Sequence, residues 1–510
     1  MYQTYLLNYQ LKNMRFLTFI LLIVIWSMQN TLAQDTLTLA FLAPSDTAKN
    51  PLKDEKRVIE KSAWENYDYL VVGKIAIAGN KITKRPIILR ELDFKEGDTI
   101  RVANLEGRFK KNRNQIYNTT LFNDVALKIE GLKNNLVDVL VEVEERWYIF
   151  PAPIFEIADR NFNEWWNTHN RDLRRTQYGG FIEVKNFRGR KEKLKLWAQF
   201  GYTQKFDIGY DIPYLDKRRR VGMNVFASYA NNREIFYQDS LNKQVFFRVG
   251  ESFMRTRFKT GFGINFRPDI QHNHNWNVAF YRNTIADTVA IINPDYFLNA
   301  QTRQHYTQFS YTFTEDKRDI AVYPKSGHFF RANFTQVGLP LLGDNVNITA
   351  LYANYTRYMP LGKHWFGVVN TRAKISLPLK QPYYNQQGNM GYGSSYLRGY
   401  EYDVISGQAF GLLRTAMRYQ LFDKKFRNDL IKIRQLRTIP MAVYLKTYAE
   451  LGYVHDQYYY EYNPLTNTLL GSTGLGVDIL TFYDWFFGLE YSLTLQKKHG
   501  LFVSFGLNFD

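Results

Sequence analysis

Along most of the chain, apolar and polar side chains alternate with a period of two. Leu501, Val503, Phe505, Leu507 and Phe509 share one face of an extended segment, and Ser504, Gly506 and Asn508 occupy the other. Trp485, Phe487, Leu489, Tyr491, Leu493 and Leu495 alternate in the same way with Gly488, Glu490, Ser492, Thr494 and Gln496. The pattern recurs at 194–200, 206–212, 221–229 and 309–313. This is the signature of a β-strand whose two faces meet different surroundings. Marking every such segment predicts sixteen strands, near residues 148–158, 177–187, 191–202, 205–213, 220–230, 245–267, 275–283, 304–314, 328–337, 346–358, 365–377, 408–421, 439–452, 471–482, 485–496 and 501–509.

A different pattern precedes these strands. Val71, Val72, Ile75 and Ile77 predict a strand that ends at the turn signal Gly79-Asn80. Residues 82–92 predict a helix with Thr83 as N-cap and Pro86 in its first turn, broken at Glu96-Gly97-Asp98. A second helix is expected over 104–117, followed by strands at 125–130 and 136–144 that turn at Gly131 and Asn134-Asn135. Residues 70–146 therefore read as one β-α-α-β-β module. Residues 34–69 are polar and mixed in charge, a linker with room for a short helix at 54–65.

At the start, residues 16–26 are apolar apart from Thr18, with Arg15 before them and Thr31-Leu32-Ala33 behind. Such a run is too short to span a bilayer as a helix. It predicts an export signal over residues 1–33, cut near Ala33, with Met14 as an alternative start. No later segment approaches the length of a transmembrane helix, so membrane residence requires a closed barrel. Apolar positions then face lipid and polar positions a lumen. That arrangement accounts for a mean hydropathy of −0.39, because alternating faces average out. A soluble β-sandwich is the competing architecture, disfavoured by the export signal and by the strand spacing.

Composition removes several function classes. The 510 residues include no cysteine, which excludes disulfides, thiolate metal sites and a lipid-anchored start. The formal charge of +18 is spread along the chain, with clusters such as Lys217-Arg218-Arg219-Arg220 between strands. Solvated turns or anionic lipid head groups are the expected partners of these charges, and nucleic acid is not. His272 and His274 have no clustered carboxylates beside them, and no nucleophile elbow or phosphate loop occurs. The reading is of a protein that is not an enzyme and that uses no metal or other cofactor.

An even strand count returns the last strand to the side of the 70–146 module. It also places the connection after the eleventh strand on the opposite side. That connection runs to about thirty residues without hydrophobic periodicity, a length seldom found in a loop without function. Within it, at 391–407, lies Ser395-Tyr396-Leu397-Arg398-Gly399-Tyr400. This stretch resembles the inward-folded loop of BamA/TamA-type outer-membrane assembly barrels, with its Arg-Gly-aromatic tip.

Three further stretches resemble the same superfamily. Glu315-Asp316-Lys317-Arg318-Asp319, followed by Tyr323-Pro324 and Gly327, is similar to its acidic-basic-acidic turn before a strand. Tyr448-Ala449-Glu450-Leu451-Gly452 is similar to its strand-thirteen motif, with Glu450 where many relatives carry aspartate. The 70–146 module resembles a POTRA domain through Gly79-Asn80, Gly97-Asp98, Leu121-Phe122-Asn123-Asp124-Val125 and Val141-Glu142-Val143-Glu144-Glu145. The resemblance implies an α+β POTRA domain followed, over residues 147–510, by a 16-stranded antiparallel transmembrane β-barrel. It implies a place in the bacterial outer membrane, with the POTRA domain in the periplasm.

Three groups of residues carry the expected mechanism. On strand thirteen Met441, Val443, Leu445 and Thr447 fall on the lipid side, so Lys446, Tyr448 and Glu450 face the lumen. An inward-folded loop would bring Arg398, preceded by Leu397, to Glu450. Gly399 would permit close approach to the wall, and Tyr400 would offer an aromatic body with a polar tip. The pair either stiffens the barrel or takes part in its working cycle. The exposed edge of the POTRA sheet either accepts an extended segment of a client by strand addition or belongs to a spacer. The third group is the seam between the first and last strands. Pro151 and Pro153 cannot donate ladder hydrogen bonds, and Gly506 weakens a partner strand that ends at Phe509.

The resemblance implies that this seam opens laterally and templates incoming strands. The function it implies is assembly of unfolded outer-membrane client proteins, in contact with outer-membrane lipids and with periplasmic or lipoprotein accessory factors as partners. The alternative is a two-partner-type secretion pore. Such pores usually carry two POTRA domains and a plug helix, whereas one domain and no plug are legible in this sequence. A passive porin needs neither the domain nor the loop motif.

Overall fold

The first strand, β1 (Tyr69–Ala78), begins a small sheet domain, because Leu70, Val72 and Ile75 need cover on one side. It is followed by α1 (Arg85–Leu89), β2 (Thr99–Arg101), α2 (Val102–Tyr117), β3 (Phe122–Lys133) and β4 (Leu136–Glu145). The sheet order is β2-β1-β4-β3, with β1 and β4 parallel and the other pairs antiparallel. Leu70, Ile88, Ile116, Phe122 and Val139 meet in its core. These coordinates, a computed structural model, describe residues 63–159, 162–339, 344, 346–378, 388–391, 395–427, 438–461, 463–481 and 485–506. The export signal, most of the linker and Phe509 lie outside the described residues.

The motif residues of this domain shape its turns. Gly79 adopts φ +90°, and an added Cβ would stand 1.9 Å from the Val143 carbonyl oxygen, so only glycine fits there. Asn80 closes the turn by donating to the Thr83 carbonyl at 3.0 Å. The Gly97 amide donates to the Val72 carbonyl, and the Asp98 carboxylate accepts the Lys95 amide at 3.0 Å. The expected helix over 82–92 contracts to α1 because Thr83 does not cap it. The Thr83 hydroxyl instead pairs with the Tyr148 hydroxyl and accepts from Asn186, and Lys84 takes the cap position without a side-chain bond. Strand β2 escaped the sequence reading because three residues with one apolar side chain carry no period.

The rest of the chain builds one sheet with two appended hairpins. The elements in order are β5 (Ile149–Ile157), α3 (Phe162–Asn167), β6 (Thr176–Phe187), β7 (Glu192–Gly201), β8 (Thr203–Ile212), β9 (Val221–Asn232), β10 (Ile235–Ser240), β11 (Lys243–Phe247), β12 (Arg255–Phe266) and β13 (His272–Ile285). There follow α4 (Asp287–Ile292), β14 (Arg303–Asp316), β15 (Gly327–Val337), β16 (Ile348–Pro360), β17 (Trp365–Pro378), β18 (Gly388–Met390), β19 (Ile405–Gly407), β20 (Ala409–Arg427), β21 (Thr438–His455), β22 (Leu470–Leu480), β23 (Phe486–Thr494) and β24 (His499–Gly506). Sixteen of these strands join in a single antiparallel sheet that follows chain order from β5 to β24, while β10–β11 and β18–β19 pair separately. Among the described residues no helix is long and apolar enough to cross a membrane.

Burial in this sheet is inside out. In β23, Gly488, Glu490, Ser492 and Thr494 are buried, whereas Leu489, Tyr491 and Leu493 are 37%, 53% and 48% exposed. A water-soluble sheet would show the reverse. The lumen holds the polar face, and the apolar face is left for lipid. One expected strand, 245–267, proves to be two elements. Residues 243–247 return as β11 of a hairpin whose tip, Leu241 and Asn242, has φ of +52° and +57°. A tight turn of that hand favours asparagine. Gly250 at φ +51° then breaks the run before β12 begins.

Candidate functional site

The end of the barrel that carries β1–β4 is termed the near end, and the connection from β17 to β20 lies at the far end. From there the loop tip folds into the lumen. Arg398 is 5% exposed; its amide donates to Glu450 Oε2 at 2.9 Å and its Nη1 to Glu450 Oε1 at 2.5 Å. Its Nε lies 3.0 Å from Glu490 Oε1, and its guanidinium sits 4.7 Å above the Tyr448 ring. Gly399, at φ +88°, lies flat on the wall; an added Cβ would stand 2.7 Å from Thr494 Cγ2. The Tyr400 hydroxyl donates to the Gly471 carbonyl at 3.0 Å and also meets Gln496. Leu397 and Tyr400 join Met390, Phe410 and Leu412 in an apolar cluster that holds the tip in place.

The wall is built to receive a cation. Lys446 and Glu490 share a register row in which the intervening residue is Gly476, and Tyr448 and Ser492 share one through Gly474. Without side chains in the middle strand, long residues of β21 reach β23 directly. Lys446 Nζ thus contacts Glu490, and the Tyr448 hydroxyl meets Ser492 Oγ at 2.5 Å. Lys446 Nζ also lies 2.5 Å from Asp478, and Arg414 Nε 3.3 Å from Glu450. Alternating charges therefore run from Arg414 through Glu450, Arg398, Glu490 and Lys446 to Asp478.

That row ends on the third motif. Arg318 chelates Asp316 through Nε and Nη2 at 2.9 and 2.8 Å, and Asp319 accepts the amides of Lys325 and Ser326. Gly327 at φ +100° leaves no space for a Cβ, which would stand 2.1 Å from the Lys317 carbonyl. The turn so fixed, with Pro324 behind it, sends Tyr323 into the lumen. Its hydroxyl donates to Asp478 at 2.9 Å, and its ring lies 4.4 Å from that of Tyr444. The loop tip and the near-end turn, 75 positions apart in sequence, are thus joined by an unbroken set of polar contacts.

Three connections at the far end are tied together. Asn242, at the tip of the β10–β11 hairpin, is 1% exposed. Its carbonyl accepts the Val404 amide at 2.8 Å, its Oδ1 the Leu465 amide at 2.9 Å, and its amide donates to Asn463 at 2.9 Å. Three far-end connections converge on one residue.

The expected seam concerns β5 and β24, the first and last strands of the sheet. Among the described residues no ladder joins β5 to β24. The Tyr148 carbonyl accepts the Lys185 amide and the Ala158 amide donates to the Arg175 carbonyl, so even-numbered residues of β5 turn their backbone groups toward β6. Odd-numbered residues turn theirs to the open edge, and Pro151 and Pro153 are two of the five in β5. The prolines spare the β6 pairing and strip donors from the free edge alone. Gly506, the last described residue of β24, pairs with Phe486.

The POTRA domain is fastened to the near end. Arg90 donates to the carbonyls of Arg219 and Arg267 at 2.6 and 3.2 Å, and buried Glu91 receives both Nη groups of Arg267 at 2.8 and 2.9 Å. Asn118 bridges to Asp319 and Ala321, and Lys84 donates to Gly189. Burial alone would raise the Glu91 carboxyl, but Arg267, with Lys191 and Arg90, outweighs it and holds it below its ordinary 4.5. The contact is therefore complete above that pH and is lost as pH falls through the lowered value. Glu91→Gln should loosen the junction by about 3 kcal/mol, since it leaves Arg267 without its counter-ion. Faster amide exchange around Tyr148 at neutral pH would report it; unchanged exchange would show that the ion pair does not hold the domain.

Sequence reasoning missed Glu490, Lys446 and Asp478 as partners of the loop. Each is a charge at a lumen position in mid-strand, and that signal was available. His272 and His274 rest on Asp269 and Tyr311.

Two family models match the chain. One, described as an Omp85 superfamily domain, covers residues 186–481, and a POTRA model, described as a surface antigen variable number repeat, covers residues 70–146. Among solved structures, CdiB from Escherichia coli is similar at 13% identity and a TM-score of 0.51, over 85% of this chain and 75% of that one. BamA from Haemophilus ducreyi lacking POTRA domains 1–3 is similar at 13% identity and a TM-score of 0.48, over 86% of this chain and 85% of that one. At 13% identity the likeness to CdiB is one of fold. No curated protein matches in sequence. With more than half of its residues inside the first match and a POTRA domain ahead of a sixteen-stranded barrel, the chain belongs to the Omp85 superfamily of outer-membrane proteins.

Proposed function

We propose that this protein assembles other β-barrel proteins into the outer membrane, with its POTRA domain in the periplasm. The observation that carries the reading is the donor-poor free edge of β5. An edge without a full ladder is a template for a strand from another chain. A client strand that pairs there satisfies its backbone groups before it leaves for lipid, where each unpaired group costs several kcal/mol. No nucleotide is needed, because the client's own hydrogen bonds drive the exchange. The outer edge of β3, twelve residues long and without a neighbour in the sheet order, supports an earlier hand-over by strand addition.

A secretion pore is the competing reading. The loop tip in the lumen and the three connections tied together at the far end argue against an open path through the barrel. The chain lacks cysteine, so one cysteine in β5 and one facing it in β24 form a clean crosslink. Oxidation is expected to stop client assembly and reduction to restore it. Full assembly by the crosslinked protein would overturn the reading, and a large, steady single-channel conductance would favour the pore.

A further inference from the structure

The near-end turns receive the POTRA domain through backbone carbonyls and through the side chains of Asn186 and Tyr214. The carbonyls of Gly189 and Arg219 accept Lys84 and Arg90. Arg188 and Arg190 already pair with Glu192, at 2.8 and 3.4 Å. The exposed side chains of Lys217, Arg218 and Arg220 are left over. The carboxylate within the second turn is not their partner: Asp216 accepts the amides of Arg220 and Val221 at 2.7 and 2.8 Å. Among the described residues no carboxylate pairs with the side chains of Lys217, Arg218 or Arg220. Leu215, exposed beside them, places this turn at the edge of the apolar belt.

A groove of about 580 Å³ on the lipid-facing wall begins beside these turns. One side is the register row Tyr210, Val225, Phe262 and Val278. Its floor lies in the next row, where Ala227, Thr260 and Thr307 are small. The Tyr210 hydroxyl, at the near end of the row, accepts from Arg188 at 2.7 Å. Tyr210 lies two residues from the near end of β8, whereas Thr307 lies nine from the near end of β14, so the groove climbs away from the rim. From β8 to β14 it crosses four strand spacings, about 19 Å at ~4.8 Å each. Half of a bilayer's hydrocarbon core is about 15 Å, so the inclined groove matches one acyl chain of one leaflet.

We infer that this wall is a binding site for an anionic phospholipid of the leaflet facing the POTRA domain. The phosphate lies among Lys217, Arg218 and Arg220, and one acyl chain lies in the groove over Ala227 and Thr260. Selectivity comes from charge, because an acyl chain gains little by leaving equally apolar lipid; the groove orders the chain that the head group brings. The head group would rest against the outer side of the turns whose inner side holds the POTRA domain. The inference stands or falls independently of client assembly, since its measure is lipid retention.

Full-length protein is equilibrated with vesicles of phosphatidylcholine mixed with phosphatidylglycerol, extracted in mild detergent and weighed by native mass spectrometry. Wild type is expected to retain phosphatidylglycerol over phosphatidylcholine by roughly tenfold or more, from three basic residues near an anionic surface. Lys217→Gln/Arg218→Gln/Arg220→Gln should remove that preference while the barrel stays folded by heat-shifted electrophoretic mobility. Ala227→Trp, which fills the groove floor and leaves every charge in place, should lower the number of retained lipids without abolishing the preference. Equal retention of the two lipids by wild type, an undiminished preference in the triple variant, or displacement of the lipid by inorganic phosphate alone would each overturn the assignment.

Discussion

Arg398→Ala is expected to cost the barrel about 3 kcal/mol, read as a lower temperature for the heat-induced mobility shift in detergent. The side chains of Arg398, Glu450 and Glu490 are 6%, 0% and 4% exposed, so removing the cation strands two buried carboxylates. Breaking a buried pair by deleting one partner costs roughly 3–5 kcal/mol. The low end applies because Arg414 still faces Glu450 at 3.3 Å and Lys446 still contacts Glu490. Arg398→Lys should recover little, since a single ammonium cannot serve Glu450 and Glu490 from opposite edges as the guanidinium does. Arg398→Ala/Glu490→Gln should recover part of the loss, because Lys446 keeps Asp478. An unchanged transition in Arg398→Ala would remove the charge row from the barrel's stability. A lowered transition with full client assembly would assign the row to stiffness alone.

How much of this was legible follows from what a strand pattern encodes. Period two states which side a residue faces, so Lys446, Tyr448 and Glu450 were placed in the lumen correctly. It does not state register between strands. Glu490 meets Lys446 only because Gly476 lies between them, and that alignment depends on how β21, β22 and β23 slide against one another. Gly474 and Gly476 leave the gaps in β22 that let the charges touch. The same limit applied at 245–267, where a periodic run hid a turn at Gly250. In the small domain the glycine turns were plain, whereas Thr83 looked like a helix cap because its true partners, Tyr148 and Asn186, come from beyond the domain. Local chemistry was visible; among the long-range partners, Arg398 and Glu450 were legible through the resemblance of the loop, whereas Glu490, Lys446 and Asp478 were not.

The seam offers the other large effect, and it runs in the opposite direction. Pro151→Val/Pro153→Val should close the barrel more tightly. Both side chains lie on the lipid-facing side of β5, opposite Ile182 and Gly180, so valine suits the surroundings and the strand. The β6 ladder is untouched because even-numbered residues carry it. Two N–H donors are added at the free edge alone. At about 1 kcal/mol net for each hydrogen bond gained, the closed seam is favoured by about 2 kcal/mol, a shift of roughly 30-fold in its opening equilibrium. The double variant should therefore resist heat better than wild type and assemble clients more slowly, with each single variant between. A variant that gains heat stability while assembling clients at the full rate would place the working edge elsewhere. One that gains neither would show that β24 does not take up the new donors, and that the prolines do not set the seam.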